Sequence, residues 1–332
     1  MPIVLIRIFA WSVLTILVVF LVNNYLMIWR DWPGVLAVFA HHQLFGVDAR
    51  TALPSGALGL AWGQLSAYIA AIAAAVLMVG RRKGQSLRDD ADVFTAVATY
   101  IIRAAFWMVL LVGIADAAIS FLRVENLLPI LFSDDMVNEL GRPQYRAPMV
   151  HLPLIILSMI IAAFSRSLGF TWLALLVVIA ELLIVFSRFI FSYEQAFMGD
   201  LVRFWYAALF LFASAYTLLE EGHVRVDVLY ASFSQRTKGL VNALGSLVLG
   251  MSLCAIILTL GMGGKANIIN SPILAYEVSQ SGFGMYVKYL MAGFLAIFAI
   301  SMLIQFTGYL LSGIADYRGD PGGREATDGP AH

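Results

Sequence analysis

Three ionisable side chains lie inside long apolar runs, where a charge is costly and so is a functional candidate: Arg103, Asp116 and Glu181. Glu181 is the deepest. A carboxylate there suits either a cation or proton site between helices, or an interhelical hydrogen bond or ion pair. The second is the ordinary use of polar groups between membrane helices. Asp116 follows Arg103 by thirteen residues, roughly 20 Å along a helix, so the two do not pair. Its position near the end of its run suggests contact with water. Arg188, two turns beyond Glu181, reads as an interfacial anchor whose head snorkels outward.

The histidines supply little. His41 and His42 are adjacent, point in different directions on a helix and make a poor metal pair. His151 sits at the end of an apolar run, His223 in a polar stretch and His332 in the tail. Haem needs axial ligands at matching depth on facing helices, which this spacing does not provide. No zinc signature, nucleophile–base constellation or glycine-rich phosphate loop is present. Cys254 has no partner for an intrachain disulfide. Neither a cofactor nor a metal is expected, and an enzyme is not the expected class.

The elements that hold these residues follow from composition. The chain has 332 residues, 61% hydrophobic and only 13% charged, whereas a soluble domain carries roughly a quarter charged residues. It lacks the polar surface that water demands, so its solvent is largely lipid, and the expected class is an all-α membrane protein. With 21 basic and 21 acidic residues, nothing points to nucleic acid. A bilayer core is crossed by about 20 apolar residues of helix. Eight segments qualify: Val4–Ile28, Leu58–Gly80, Ala96–Leu122, Met149–Phe164, Phe170–Phe191, Val202–Leu219, Leu240–Met262 and Met285–Ile314. The fourth is short, with Pro148 and Pro153 at its start. The first is too long for a signal-peptide core and reads as a retained span.

Orientation follows from basic residues. Arg81, Arg82, Lys83 and Arg88 form the densest basic cluster. With eight spans this loop shares a side with both termini, which are therefore expected in the cytoplasm. Val35–Phe45 is expected as a short interfacial helix, and Ile268–Met285 as a re-entrant or interfacial element. Residues 1–168 then form an extension of four spans, 169–314 a second four-span domain, and 315–332 a disordered tail rich in Gly, Pro, Asp and Glu. No internal repeat of the inverted-transporter kind is evident.

The most informative stretch runs from Ser187 to Tyr230: SRFIFSYEQAFMGDLVRFWYAALFLFASAYTLLEEGHVRVDVLY. One span ends, a short turn follows, a full span crosses, and a charged loop breaks at Gly222. At these residues the chain resembles the small permease subunit of TRAP transporters, the DctQ-type family. Arg188 matches the Arg that closes that family's first helix. Asp200, Leu201, Val202 and Arg203, with Trp205, match the opening of its second. Gly222, His223, Val224, Arg225, Val226 and Asp227 match the motif after it, and Gln305 fits a Gln late in the last helix. The resemblance covers about Phe170 to Ile314. The sequence departs from the family in having Gly199 before Asp200, where two glutamates are common, and in its four extra spans.

The resemblance implies a non-catalytic scaffold that fixes a larger permease subunit in the bilayer of the bacterial inner membrane. That partner holds the substrate and sodium sites, and a periplasmic binding protein delivers the substrate, usually an organic acid. The alternative reading is a membrane anchor or sensor subunit of an unrelated respiratory or signalling complex, with Glu181 and Asp116 in a proton or signal pathway.

Overall fold

The structure is a computed structural model and describes residues 3–44, 56–166, 170–219, 230, 232–279 and 284–322. Among these, eight helices are long and apolar enough to cross a membrane. They are Ile3–Trp29, Ala57–Arg81, Leu87–Val124, Pro143–Phe164, Phe170–Phe191, Ala196–Leu219, Gln235–Gly261 and Lys288–Arg318, here spans one to eight. Each contains or closely overlaps one of the apolar runs read from sequence. Shorter helices at Leu36–His41 and Asn270–Ala275 occupy the two segments read as interfacial.

Three boundaries move, each for a local reason. Span three begins nine residues early because Ser86 and Asp89 cap it reciprocally: the Ser86 N–H donates to the Asp89 carboxylate at 2.7 Å, and the Asp89 N–H donates to Ser86 Oγ at 3.2 Å. Span four begins at Pro143 and passes through a π-helical turn at Ala147–His151. Pro148 in that turn lacks the N–H that an α-helical ladder needs, and a wider turn is one way the ladder adapts. Span eight continues to Arg318. It stops in a Schellman turn, with Gly319 at φ +76° and its N–H on the Asp316 carbonyl, while the Asp320 N–H reaches the Ala315 carbonyl. Residues 315–322, assigned to the tail on composition, are therefore ordered; the rest of the tail lies outside the described residues.

The chain divides into two compact units. The first comprises Met1–Thr95, Val226–Leu253 and Leu303–His332. Span one packs along span two, with Ala10, Trp11, Ala61, Ala71 and Ala75 buried in this unit. Gln64 donates to Asn23 and accepts the Gly34 N–H, holding the turn after span one. Arg7, buried near the start of span one, donates to the equally buried Asp90. The Arg82 guanidinium lies over Trp11, whose ring meets that of Phe94 at a 60° tilt. Gly239 and Gly313 let two helices cross at backbone distance; a Cβ on Gly239 would stand 2.5 Å from the Tyr317 nitrogen.

In the same unit Arg88 ties off span eight, donating to the Asp316 carboxylate at 2.7 Å and to the carbonyls of Asp320 and Pro321. Arg88→Ala is expected to cost about 1–2 kcal/mol and to speed amide exchange over residues 316–322. Unchanged protection there in hydrogen–deuterium exchange would show that the tie holds nothing.

The second unit comprises Ala96–Arg225 and Cys254–Met302. Spans five and six pack together, and span five buries Leu173, Ala180 and Ser187 at seven-residue spacing. Phe204 and Phe212 of span six clasp Phe294 of span eight, with ring centroids 5.1 and 5.2 Å apart. This unit holds the polar cluster described next.

Candidate functional site

Asp116 is fully buried in the second unit and has no contact with water, contrary to the expectation from its place near the end of an apolar run. Its Oδ1 accepts from Arg146 Nη1 at 2.7 Å and from His151 Nε2 at 3.1 Å. Its Oδ2 accepts the Tyr286 backbone N–H at 2.7 Å. Arg146 and His151 are themselves without exposed surface. Arg146 also donates to Ser120 Oγ and, through Nε and Nη2, to the Leu140 carbonyl. His151 Nδ1 meets the Tyr289 hydroxyl at 2.8 Å. A neutral imidazole with its proton on Nε2 satisfies both neighbours, donating to Asp116 and accepting from Tyr289. The carboxylate and guanidinium then cancel, and every polar atom of Asp116 and His151 has a partner. Charges out of water persist only when paired and hydrogen-bonded this completely.

The π turn is what makes the cluster. Residues five apart on an α-helix point about 140° from one another, so Arg146 and His151 would face different ways. A turn closed i to i+5 brings such positions onto one side, and both side chains reach the same carboxylate oxygen.

A second carboxylate grips the neighbouring residue. Asp200 Oδ2 accepts the Met285 N–H at 3.1 Å, and its Oδ1 accepts from Ser279 at 3.2 Å and from Arg203 at 3.0 Å. Consecutive N–H groups of Met285 and Tyr286, just before span eight, are thus held by Asp200 of span six and Asp116 of span three. Arg123 adds bonds to the Gly284 carbonyl and the Tyr286 hydroxyl, and the Tyr286 hydroxyl donates to the Gly141 carbonyl. The Tyr286 ring lies beneath both guanidiniums, 4.1 Å from Arg146 and 4.7 Å from Arg123.

Trp205 ties span six directly to span three. Its Nε1 donates to the Val109 carbonyl at 3.2 Å, and the indole lies against Gly113, where a Cβ would come within 2.5 Å of Nε1. Gly113→Val is expected to expel the indole and cost about 1–3 kcal/mol by overpacking. A blue-shifted or unmoved tryptophan emission with unchanged melting would contradict this.

The other residues singled out fall apart in space. Arg203 is mostly exposed and, among the described residues, pairs with Asp200. Arg188 is 66% exposed and lies 3.8 Å from Glu194. Gln305 is buried and donates to Thr95 Oγ1 at 3.3 Å in the first unit. Arg103 donates to the Ser165 carbonyl. Glu181 is exposed on span five and forms neither the hydrogen bond nor the ion pair expected of it with any described residue. Gly222, His223, Arg225 and Asp227 lie outside the described residues. Arg146, Ser120, Tyr286 and Gly113 were not legible as site residues, because each acts through a neighbour distant in sequence. Only the basic character of Arg146, next to a short proline-bearing run, hinted at a charge partner for Asp116.

Residues 175–310 match the family model for the DctQ component of tripartite ATP-independent periplasmic transporters. No curated protein and no solved structure matches the chain. The matched stretch contains Arg188, Asp200, Arg203, Trp205, the 222–227 motif and Gln305, and begins inside span five. Residues 175–310 are therefore a DctQ region, that of the small permease component of TRAP transporters, within a multi-pass inner-membrane protein that has further span-length helices ahead of the matched stretch.

Proposed function

We propose that this small permease subunit serves as a non-catalytic scaffold for a larger permease in a sodium-coupled uptake system for organic acids. A periplasmic binding protein supplies the substrate to that complex, and both termini of this chain lie in the cytoplasm beside the Arg81–Lys83 cluster. The observation that carries the reading is the DctQ match over residues 175–310, the stretch that contains Arg188, Asp200, Arg203 and residues 222–227. The site chemistry supports it: Asp116 and Asp200 spend their oxygens on backbone N–H groups, arginines, a histidine and a serine of their own chain. Such saturation suits a rigid support, whereas a transport site must release what it binds. For the same reason Asp116 lends no support to a proton pathway in a respiratory or signalling subunit.

The test is affinity purification of the chain from native membranes in mild detergent, with mass spectrometry of what accompanies it. A large multi-span permease at near-equal amount is expected, together with sodium-dependent uptake of an organic acid when the complex is reconstituted with its binding protein. The chain alone is expected to transport nothing. Recovery with redox or signalling subunits instead would overturn the reading.

A further inference from the structure

Span five carries two charges, and one of them, Glu181, has no partner among the described residues. Glu181 lies eleven residues from Phe170 and ten from Phe191, so roughly 15 Å of helix separates it from either end. It is exposed and unpartnered among the described residues. At 100° per residue, the buried side of span five is set by Leu173, Ala180 and Ser187. Glu181 sits about a quarter-turn around from that side, on a strip with Ala174, Val177, Val178, Val185 and, two turns on, Arg188. The strip is apolar apart from its two charges. Arg188 is held by Glu194 only loosely, at 3.8 Å.

A carboxylate in mid-span facing hydrocarbon is unfavourable, and polar groups at that depth ordinarily face protein. We propose that this strip docks a membrane helix of the large permease subunit. That helix presents a lysine or arginine opposite Glu181 and an acidic or amide acceptor two turns away, opposite Arg188. The proposal rests on the functional reading above. Charge chooses a different chain over a second copy of this one. A two-fold axis along the membrane normal would bring Glu181 against Glu181 and Arg188 against Arg188 at equal depth, like against like. A distinct helix with the complementary order satisfies both. Ala174, two turns before Glu181, leaves room for close approach of a backbone.

The experiment uses the full chain purified with its permease from native membranes. Glu181→Leu makes an exposed face more apolar and leaves the fold intact, which size-exclusion profiles will show. The permease recovered per chain is expected to fall at least tenfold. Glu181→Gln is expected to retain part of the association through its amide, and Leu183→Ala, on the far side of the helix, to match wild type. Benzophenone-maleimide attached at Val178→Cys or Val185→Cys is expected to cross-link to one permease helix carrying a lysine or arginine; Cys254 is buried and leaves the label to the introduced thiol. Wild-type recovery with Glu181→Leu, or cross-links only to a second copy or to lipid, overturns this docking strip while leaving the scaffold reading intact. Absence of a permease from the wild-type preparation overturns both.

Discussion

Asp116→Leu will destabilise the protein by about 3–5 kcal/mol, the usual cost of stripping one partner from a buried ion pair. Arg146 would be left charged without exposed surface, and the Tyr286 N–H and His151 Nε2 would each lose their acceptor. Asp116→Asn is expected to fall between, because its amide oxygen still accepts the Tyr286 N–H while the charge is lost. The decisive variant is Asp116→Leu with Arg146→Met. If the loss arises from the orphaned guanidinium, the pair restores much of it, as replacing a whole buried ion pair by apolar groups often does. Thermal unfolding in detergent, followed by size-exclusion, ranks the four proteins. Equal melting of Asp116→Leu and wild type would mean that the cluster is not under load, and a double variant no better than the single would place the cost elsewhere.

The second large effect concerns the extension. Deleting residues 1–169 is expected to abolish accumulation of the remainder in membranes, although that remainder contains the entire DctQ match. The second compact unit draws on residues 96–166 as well as on the matched region. Removing them takes Asp116 from the Tyr286 N–H, Arg123 from the Gly284 carbonyl, and the Val109 carbonyl and Gly113 surface from Trp205. The groups left behind are polar and buried or part-buried, and such groups cost free energy when unpaired. Quantitative immunoblotting of membranes, with the full chain as reference, measures the outcome. Wild-type levels of a monodisperse 170–332 fragment would show that the matched region folds by itself and that the extension is an accessory. Substrate choice, by contrast, is expected not to change in any variant of the extension that still assembles.

These two predictions also mark where sequence reading stops. The eight spans were legible because lipid imposes a one-dimensional requirement, some 20 apolar residues in a row, and nothing in tertiary packing relaxes it. The family resemblance was legible because short-range spacing carries it, and the matched stretch of residues 175–310 contains the residues from which it was read. Span ends were less so: the Ser86–Asp89 cap and the Gly319 Schellman turn are local signals, but they sit in polar stretches that hydropathy assigns to loops.

The partners of the buried charges were decided by tertiary structure. Asp116 meets residues 30, 35 and 170 positions away, and no periodicity along one helix encodes such a choice. Arg146 and His151 converge only because a π turn overrides the 3.6-residue repeat by which sequence is read. Glu181, the deeper of the two in its run, read from sequence as the better buried carboxylate. The fold gives one carboxylate three donors and leaves the other facing outward, because burial depends on which helices pack against which side, and that is a property of the assembled bundle.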